Sequence, residues 1–134
     1  ERFRVVPAER ILVPGSTIAL HSQLRNRFVK MEGGALERSP EKGATEMPDW
    51  WTWERFTVVD AGNGQVAFHN SIHNRYLKMN GDRMLVSPPQ APDTLPSNWG
   101  SERFTVIPAG DGKFVFHNSG HNRMIRMTGD KVDA

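Results

Sequence analysis

The chain of 134 residues contains no cysteine, which excludes disulfide bonds, thiolate zinc sites and a cysteine nucleophile. It has no run of about 18 apolar residues, so we expect no membrane span. It also shows no secretory signal pattern. Stretches with the apolar period of a helix are missing too. These absences favour a fold built from strands and turns.

Neither positive nor negative charge is in clear excess. The chain has 17 Lys and Arg against 15 Asp and Glu, a formal net charge of +2, and no basic run. Nucleic-acid-binding domains usually carry a basic patch or stripe, so we expect no nucleic-acid partner. No P-loop, dinucleotide-binding or metalloprotease motif occurs. The conspicuous polar groups are all repeated, whereas an enzyme needs one unique constellation, so we expect neither catalysis nor a cofactor.

What the chain does contain is an internal repeat. Residues 54–86 and 102–134 align without gaps, with 18 of 33 positions identical. A more divergent third copy opens the chain. Its Arg25-Asn26-Arg27 lies 48 residues before His73-Asn74-Arg75, which lies 48 residues before His121-Asn122-Arg123. A fixed period of this length indicates a fold assembled from equivalent units.

Each copy predicts four strands. The segments "ERFTVV", "QVAFH", "RYLKM" and "RMLVS" alternate or form short apolar runs, as strands do. Asn63-Gly64, Asn80-Gly81 and Asp111-Gly112 predict two-residue hairpin turns, because the primed turn types need positive φ twice. The segment "PPQAPDTLPSNWGS" has four prolines, so it predicts a long loop rather than a central strand or a helix interior.

Three copies of four strands predict an all-β fold of twelve strands, the β-trefoil, in which three hairpins cap a six-stranded barrel. The N-terminal strand should complete the C-terminal repeat. We expect a single domain over residues 1–134, with repeats at roughly 15–59, 64–107 and 112–134 plus 1–7. This frame fits a trefoil with trimmed flanks or one cut from a longer array. A small propeller is the alternative, although three blades would fall below the usual four.

The segments "IALHS", "NRFVKM", "GGALERS" and "WERFTVV" resemble the fascin-like branch of the β-trefoil proteins. The resemblance covers essentially the whole chain and implies the trefoil fold. Actin bundling, which is known for fascin itself, is an analogy of fold only, and we do not expect it here. No unit contains the Gln-x-Trp motif of the ricin-like trefoils, so their sugar-binding residues have no counterpart here.

The most repeated polar segment is the HN-x-x-HNR motif, which joins the strand "QVAFH" to the strand "RYLKM" and its equivalents. One interpretation is structural. Asn tolerates left-handed backbone and bonds to its own turn, and equivalent turns need equivalent residues. In this interpretation Arg75 pairs with Glu54 or Asp82 and covers an end of the barrel.

The alternative is a multivalent lectin-like surface. Amides, Arg forks and imidazoles suit sugar hydroxyls, carboxylates or sulfates, and three weak sites can act together. A metal site is disfavoured, because His residues four apart on a hairpin are not stacked and no carboxylate or cysteine joins them. The candidate ligand-binding residues are His21, Asn26, Arg27, His69, Asn70, His73, Asn74, Arg75, His117, Asn118, His121, Asn122 and Arg123.

The tryptophans divide into matched and unmatched residues. Trp51 aligns with Trp99, and we expect both to plug the barrel mouth or to pin the long loop. Trp50 and Trp53 have no counterpart, so they are candidate contacts for a partner. An insertion absent from the other copies carries three further candidates, which are either tucked onto the barrel or buried in a neighbour, namely Ile11, Leu12 and Val13.

Two functions fit these features. The first is a non-enzymatic protein-interaction module, an accessory or structural subunit of a larger assembly, marked by the asymmetric apolar residues. The second is a lectin-like carbohydrate-binding module with up to three sites, marked by the repeated loops. The sequence favours the first, so the expected partner is a protein or a larger complex, with carbohydrate as the alternative.

Overall fold

The structure is a computed structural model that describes residues 1–7 and 12–134. Within these residues no helix is long and apolar enough to cross a membrane, and one 3-10 turn covers Gly100–Glu102. The described strands are β1 Phe3–Val6, β2 Thr17–Ser22, β3 Arg27–Glu32, β4 Ala35–Arg38, β5 Phe56–Gly62, β6 Gln65–Asn70, β7 Arg75–Asn80, β8 Arg83–Val86, β9 Thr105–Gly110, β10 Lys113–Asn118, β11 Arg123–Met124, β12 Arg126–Met127 and β13 Val132–Asp133.

Six strands close into a barrel. Strand β1 pairs with β2 and with β10, and β5 pairs with β2 and β6. Strand β9 pairs with β10, and Phe104, just before it, bridges to Val66 of β6. The order β1-β2-β5-β6-β9-β10 therefore returns to β1. The register Phe3 to Phe114 confirms that the N-terminal strand completes the C-terminal repeat.

Three hairpins cap this barrel: β3–β4, β7–β8 and β12–β13. They meet one another, since Arg83 of β8 pairs with Asp133 of β13, and β4 packs against both of these strands. The all-β trefoil prediction is confirmed. Thirteen strands are described rather than twelve because β11 and β12, which flank Ile125, share the place that β7 fills one repeat earlier.

Five Phe and one Leu at repeated positions pack inside the barrel. Every side chain of the two sets is at most 1% exposed. The ring of Phe68 lies 5.2 Å from that of Phe116 and 6.0 Å from that of Phe104. Each repeat therefore contributes the same two buried positions to one shared core. The two sets are Phe3, Phe56 and Phe104, and Leu20, Phe68 and Phe116.

The hairpin turns agree with the sequence at two places out of three. Asn63-Gly64 and Asp111-Gly112 have positive φ at both positions, as primed turns require. The Asn80-Gly81 prediction is wrong in detail. Asn80 ends β7, and the turn consists of Gly81, with φ +63°, and Asp82.

Candidate functional site

The first Asn of the HN-x-x-HNR motif is buried and fully used within the chain. The side-chain amide nitrogen of Asn70 donates to the carbonyl oxygens of Thr52 and Arg55, at 3.1 Å each. Its Oδ1 accepts from the backbone N–H of His73 at 3.0 Å. This side chain therefore ties the hairpin to the loop before β5. Asn118 repeats the arrangement at 3.0 Å with the equivalent partners Gly100, Arg103 and His121.

The second Asn of the motif adopts left-handed backbone in all three copies, with φ of 54° at Asn26, 54° at Asn74 and 55° at Asn122. Asn is among the few residues that accept this conformation at low cost. Here the motif therefore meets a backbone requirement.

The first His of the motif also bonds inward. His69 Nε2 lies 2.9 Å from the carbonyl oxygen of Gln90 and 3.1 Å from Oδ1 of Asn74. In the first repeat His21 Nε2 lies 2.9 Å from the carbonyl oxygen of Lys42. Burial lowers the pKa of His21, while this hydrogen bond works in the opposite direction. Both imidazoles hold the long loop of their repeat against the barrel. In the third repeat, Nε2 of the half-buried His117 lies 3.0 Å from Oδ1 of Asn122.

The Arg of the motif bonds to backbone as well. Arg75 donates to the carbonyl oxygen of Ser87 at 2.9 Å, where the sequence suggested Glu54 or Asp82 as its partner. Arg27 makes the same bond to Ser39 at 2.8 Å in the first repeat. Arg27 also lies 3.8 Å from a carboxylate oxygen of Glu41.

Four of the predicted ligand-binding side chains are exposed, namely Asn26, Asn74, Asn122 and Arg123. Among other residues, the loop tips also expose Leu24, at 85%, and Ile72, at 57%. Within the part of the chain that the structure describes, no three His, Asp or Glu side chains group as metal ligands. The structure thus accounts for most of the motif by contacts inside the fold, and a ligand at these loops stays a prediction.

The second His of the motif reaches across to another repeat. The ring of His73 lies 5.2 Å from that of Trp53, and its Nε2 accepts from the backbone N–H of Gly33 at 3.3 Å. His121 accepts the equivalent bond from Gly81 through Nδ1, also at 3.3 Å. One predicted ligand-binding residue therefore touches one predicted partner-binding residue.

A concave site of about 260 Å³ lies beside Trp53, and we call it the Trp50 pocket. Trp50 is 77% exposed and Trp53 is 37% exposed, so two indole rings are open to solvent here. The Nζ of Lys30 stands 5.2 Å from the ring centre of Trp53, within cation–π range. The pocket is lined by Lys30, Pro40, Trp50, Trp51, Thr52, Trp53 and Glu54.

A second site of about 220 Å³ follows one repeat later, and we call it the Trp99 pocket. Each of its lining residues stands 48 positions after one that lines the first pocket. Trp99 also packs against Tyr76 and its neighbours in a small second core, which anchors the proline-rich loop. The lining residues are Lys78, Pro88, Asn98, Trp99, Gly100, Ser101 and Glu102.

Each pocket is lined by one Glu carboxyl group and one Lys ammonium group. Glu54 and Glu102 are both 3% exposed. Burial raises the pKa of each carboxyl group, and the positive charge of Lys30 or Lys78 partly opposes that rise. Neither carboxyl group is among the site residues predicted from the sequence. The signal that could have found them is that the Glu of "ERF" and the Lys of "RYLKM" recur in register.

This burial makes a prediction about pH and stability. Because the folded pKa of Glu54 and Glu102 lies above the ordinary 4.5, the folded state binds these protons more tightly than the unfolded chain. Their contribution to the stability of the folded state is therefore fully present below the unfolded pKa, and it is lost as pH rises through the raised folded pKa. In urea unfolding between about pH 4 and pH 7, the E54Q/E102Q double variant should gain stability relative to wild type as pH increases. If the free energies of unfolding of wild type and double variant change in parallel with pH, the raised pKa of these two groups is wrong. Glu37→Gln, at an exposed position, serves as the control.

The partner-binding candidates of the insertion fall in different environments. Leu12 is buried in the main core, so it is tucked onto the barrel. Val13 next to it is half exposed. Ile11 lies outside the described residues. Of the predicted set, the structure brings together Trp50 and Trp53.

Comparison with known proteins identifies the fold. The chain resembles the cytolethal distending toxin of Haemophilus ducreyi at a TM-score of 0.65 and 12% identity, over 93% of this chain and 77% of that one. It resembles a designed threefold symmetric protein, ThreeFoil, at 0.62 and 12%, over 87% and 85%. A GH54 α-L-arabinofuranosidase matches at 0.72 and 14%, over 93% of this chain but 27% of that one. No protein-family model and no curated protein matches the chain.

At these identities the likeness concerns the fold alone. The threefold trefoil architecture is consistent with a protein-binding or a carbohydrate-binding module. The neighbours include enzymes, but the arabinofuranosidase match spans about a quarter of that enzyme's chain. The fascin-like resemblance remains a prediction.

Proposed function

We propose that this chain is a non-enzymatic carbohydrate-binding module whose main site is the Trp50 pocket. The observation that carries the proposal is the exposure of Trp50, at 77%, beside a concave site with Lys30 and Glu54 in its wall. An exposed indole beside a recess offers a ligand a large and rigid contact surface, since aromatic rings dominate contact energetics.

The chemistry of the pocket suits a neutral saccharide. Trp50 offers a flat apolar surface for the C–H face of a sugar ring, and so does the exposed part of Trp53, whose ring also packs against His73 and Lys30. The Glu54 carboxylate lines the pocket and has about four acceptor positions, which suit sugar hydroxyls. Lys30 supplies donors. One cation and one anion balance each other, so the site suits an uncharged ligand.

The size of the site favours a small ligand over a protein. Stable protein interfaces bury about 1,200–2,000 Å². A recess of about 260 Å³ with an equivalent recess one repeat away fits a ligand of a few sugar units better. Docking of a protein would use the same Trp50, so the binding experiment must distinguish a saccharide from a protein partner.

The pocket lacks the pair of acids that glycoside hydrolysis uses. Most glycosidases flank the scissile bond with two carboxyl groups about 5–9.5 Å apart. Glu54 is the one acidic residue among those lining the Trp50 pocket. The arrangement supports binding without cleavage.

The proposal predicts that Trp50→Ala and Trp53→Ala each weaken saccharide binding at least about tenfold, because each removes a stacking face. A glycan array with the purified protein identifies the best ligand, and calorimetry then measures its affinity for each variant. Two controls leave the pocket intact: Ile72→Ala at an exposed loop tip, and the N74G/N122G pair, which removes two exposed amides while keeping the left-handed backbone.

Two results would contradict the proposal. If N74G/N122G loses glycan binding while Trp50→Ala keeps it, the repeated loops are the binding site and the Trp50 pocket is not. An array without hits, together with a protein partner whose binding depends on Trp50, would establish the protein-docking alternative.

A further inference from the structure

The Trp99 pocket differs from the Trp50 pocket in one consistent way. Trp99, Lys78 and Glu102 match residues of the first pocket. At the positions of Trp50 and Trp53, however, it has Asn98 and Ser101. One site therefore offers three indoles, and the other offers one indole with an amide and a hydroxyl.

The hydrogen bonds of His121 determine what Ser101 can do. The backbone N–H of Gly81 donates to Nδ1 of His121 at 3.3 Å, so this nitrogen presents a lone pair. In the neutral ring the proton then sits on Nε2. Nε2 lies 3.0 Å from Oγ of Ser101 and donates to it. The Ser101 hydroxyl proton is therefore free to donate into the pocket.

The same geometry argues against Ser101 as a nucleophile. A serine nucleophile needs a base that accepts its proton. Here the imidazole donates to the hydroxyl oxygen, and its other nitrogen is occupied by Gly81. Ser101 and His121 thus form a hydrogen-bonding pair suited to recognising a ligand acceptor.

We propose that the Trp99 pocket is a second saccharide site that recognises individual hydroxyl groups by hydrogen bonding. Ser101 donates, Glu102 accepts and Asn98 does both, while Trp99 provides one apolar wall. The inference rests on the proposed function and deepens it. The Trp50 pocket selects by stacking and tolerates differences in hydroxyl pattern, whereas the Trp99 pocket is weaker and stereochemically selective.

The four tryptophans allow each site to be followed separately. In ¹H–¹⁵N spectra each indole N–H gives its own cross-peak, assigned with single Trp→Phe variants. The probes are the methyl glycosides of glucose, galactose, mannose, xylose and arabinose, their monodeoxy derivatives, and the corresponding disaccharides, titrated to millimolar concentrations. Trp50 and Trp53 report on the first pocket, and Trp99 reports on the second.

We expect the Trp99 cross-peak to shift with one or two of the methyl glycosides. Deleting the recognised hydroxyl from that sugar should weaken binding about tenfold, since a buried hydrogen bond is worth about 1.4 kcal/mol. The same deletion should change the Trp50 titration by less than about threefold. Ser101→Ala should weaken the Trp99 titration alone, and Ser101→Thr, which keeps the hydroxyl, should restore it.

The outcomes separate the two proposals. If Trp50 and Trp53 respond while Trp99 stays still with every probe, the second site is wrong and the proposed function stands. If Trp99 alone responds, the second site holds and the assignment to the Trp50 pocket fails. No response at any indole overturns both, and an unchanged Trp99 titration in Ser101→Ala overturns the role of the hydroxyl.

Discussion

Replacing Asn70 by Ala is expected to lower the free energy of unfolding by about 3 kcal/mol. The side chain is fully buried and makes three hydrogen bonds to backbone groups of Thr52, Arg55 and His73. Alanine removes all three and leaves two carbonyls and one N–H without this partner. Each such loss costs about 1 kcal/mol or more, and a small domain is stable by only about 5–15 kcal/mol in total.

Equilibrium unfolding in urea measures this effect, and the sequence offers matched controls. Asn118→Ala should cost about the same, because its bonds are equivalent. Asn70→Ser should be milder, since Ser22 fills this place in the first repeat and its Oγ accepts from the N–H of Arg25. The exposed Asn98→Ala should have little effect. A loss below about 1 kcal/mol for Asn70→Ala would refute the structural role of the motif.

Replacing Phe68 by Ala should cost about 4 kcal/mol. Its ring contacts those of Phe104 and Phe116 at the centre of the barrel, and it is 0% exposed. Alanine removes the buried ring and leaves a cavity that a closed barrel of six strands cannot collapse to fill. The loss should appear as a lower urea midpoint with an unchanged slope.

The repeat again supplies the control. Leu20 occupies the position of Phe68 in the first copy and is equally buried. Phe68→Leu should therefore be tolerated at a cost of about 1–1.5 kcal/mol. If leucine proves as damaging as alanine, the two positions are not equivalent and the pseudo-threefold packing of the core is wrong.

Much of the fold follows from local rules that the sequence displays. A strand needs alternating apolar residues, and a tight hairpin needs residues that accept positive φ, so "ERFTVV" and Asn63-Gly64 predict their own conformations. Repetition does the rest, because three equivalent units can bury their apolar faces together. The pairing of β1 with β10 could be predicted because the last unit shows three strands in the sequence, and the N-terminal "ERFRVV" matches the missing fourth.

Predictions about side-chain partners were less successful. Arg75 bonds to a carbonyl rather than to Glu54 or Asp82, and the turn after β7 is shifted by one residue. A repeat identifies which residues are equivalent but says nothing about which atoms they face. The HN-x-x-HNR motif drew attention as a binding surface because it recurs. In the structure its recurrence is largely explained by bonds to backbone.

The amino-acid pattern alone determined the strand content, the unit length and the threefold closure of this protein, because each depends on periodicity or on the φ preference of single residues. The tertiary structure decided where its pockets lie. Lys30 of β3 and the segment 50–54 of the loop that follows the hairpin line one pocket, and Ser101 meets His121 across a repeat boundary. Such contacts join residues about 20 or more positions apart, so they depend on the path of the chain in space, which no local pattern encodes.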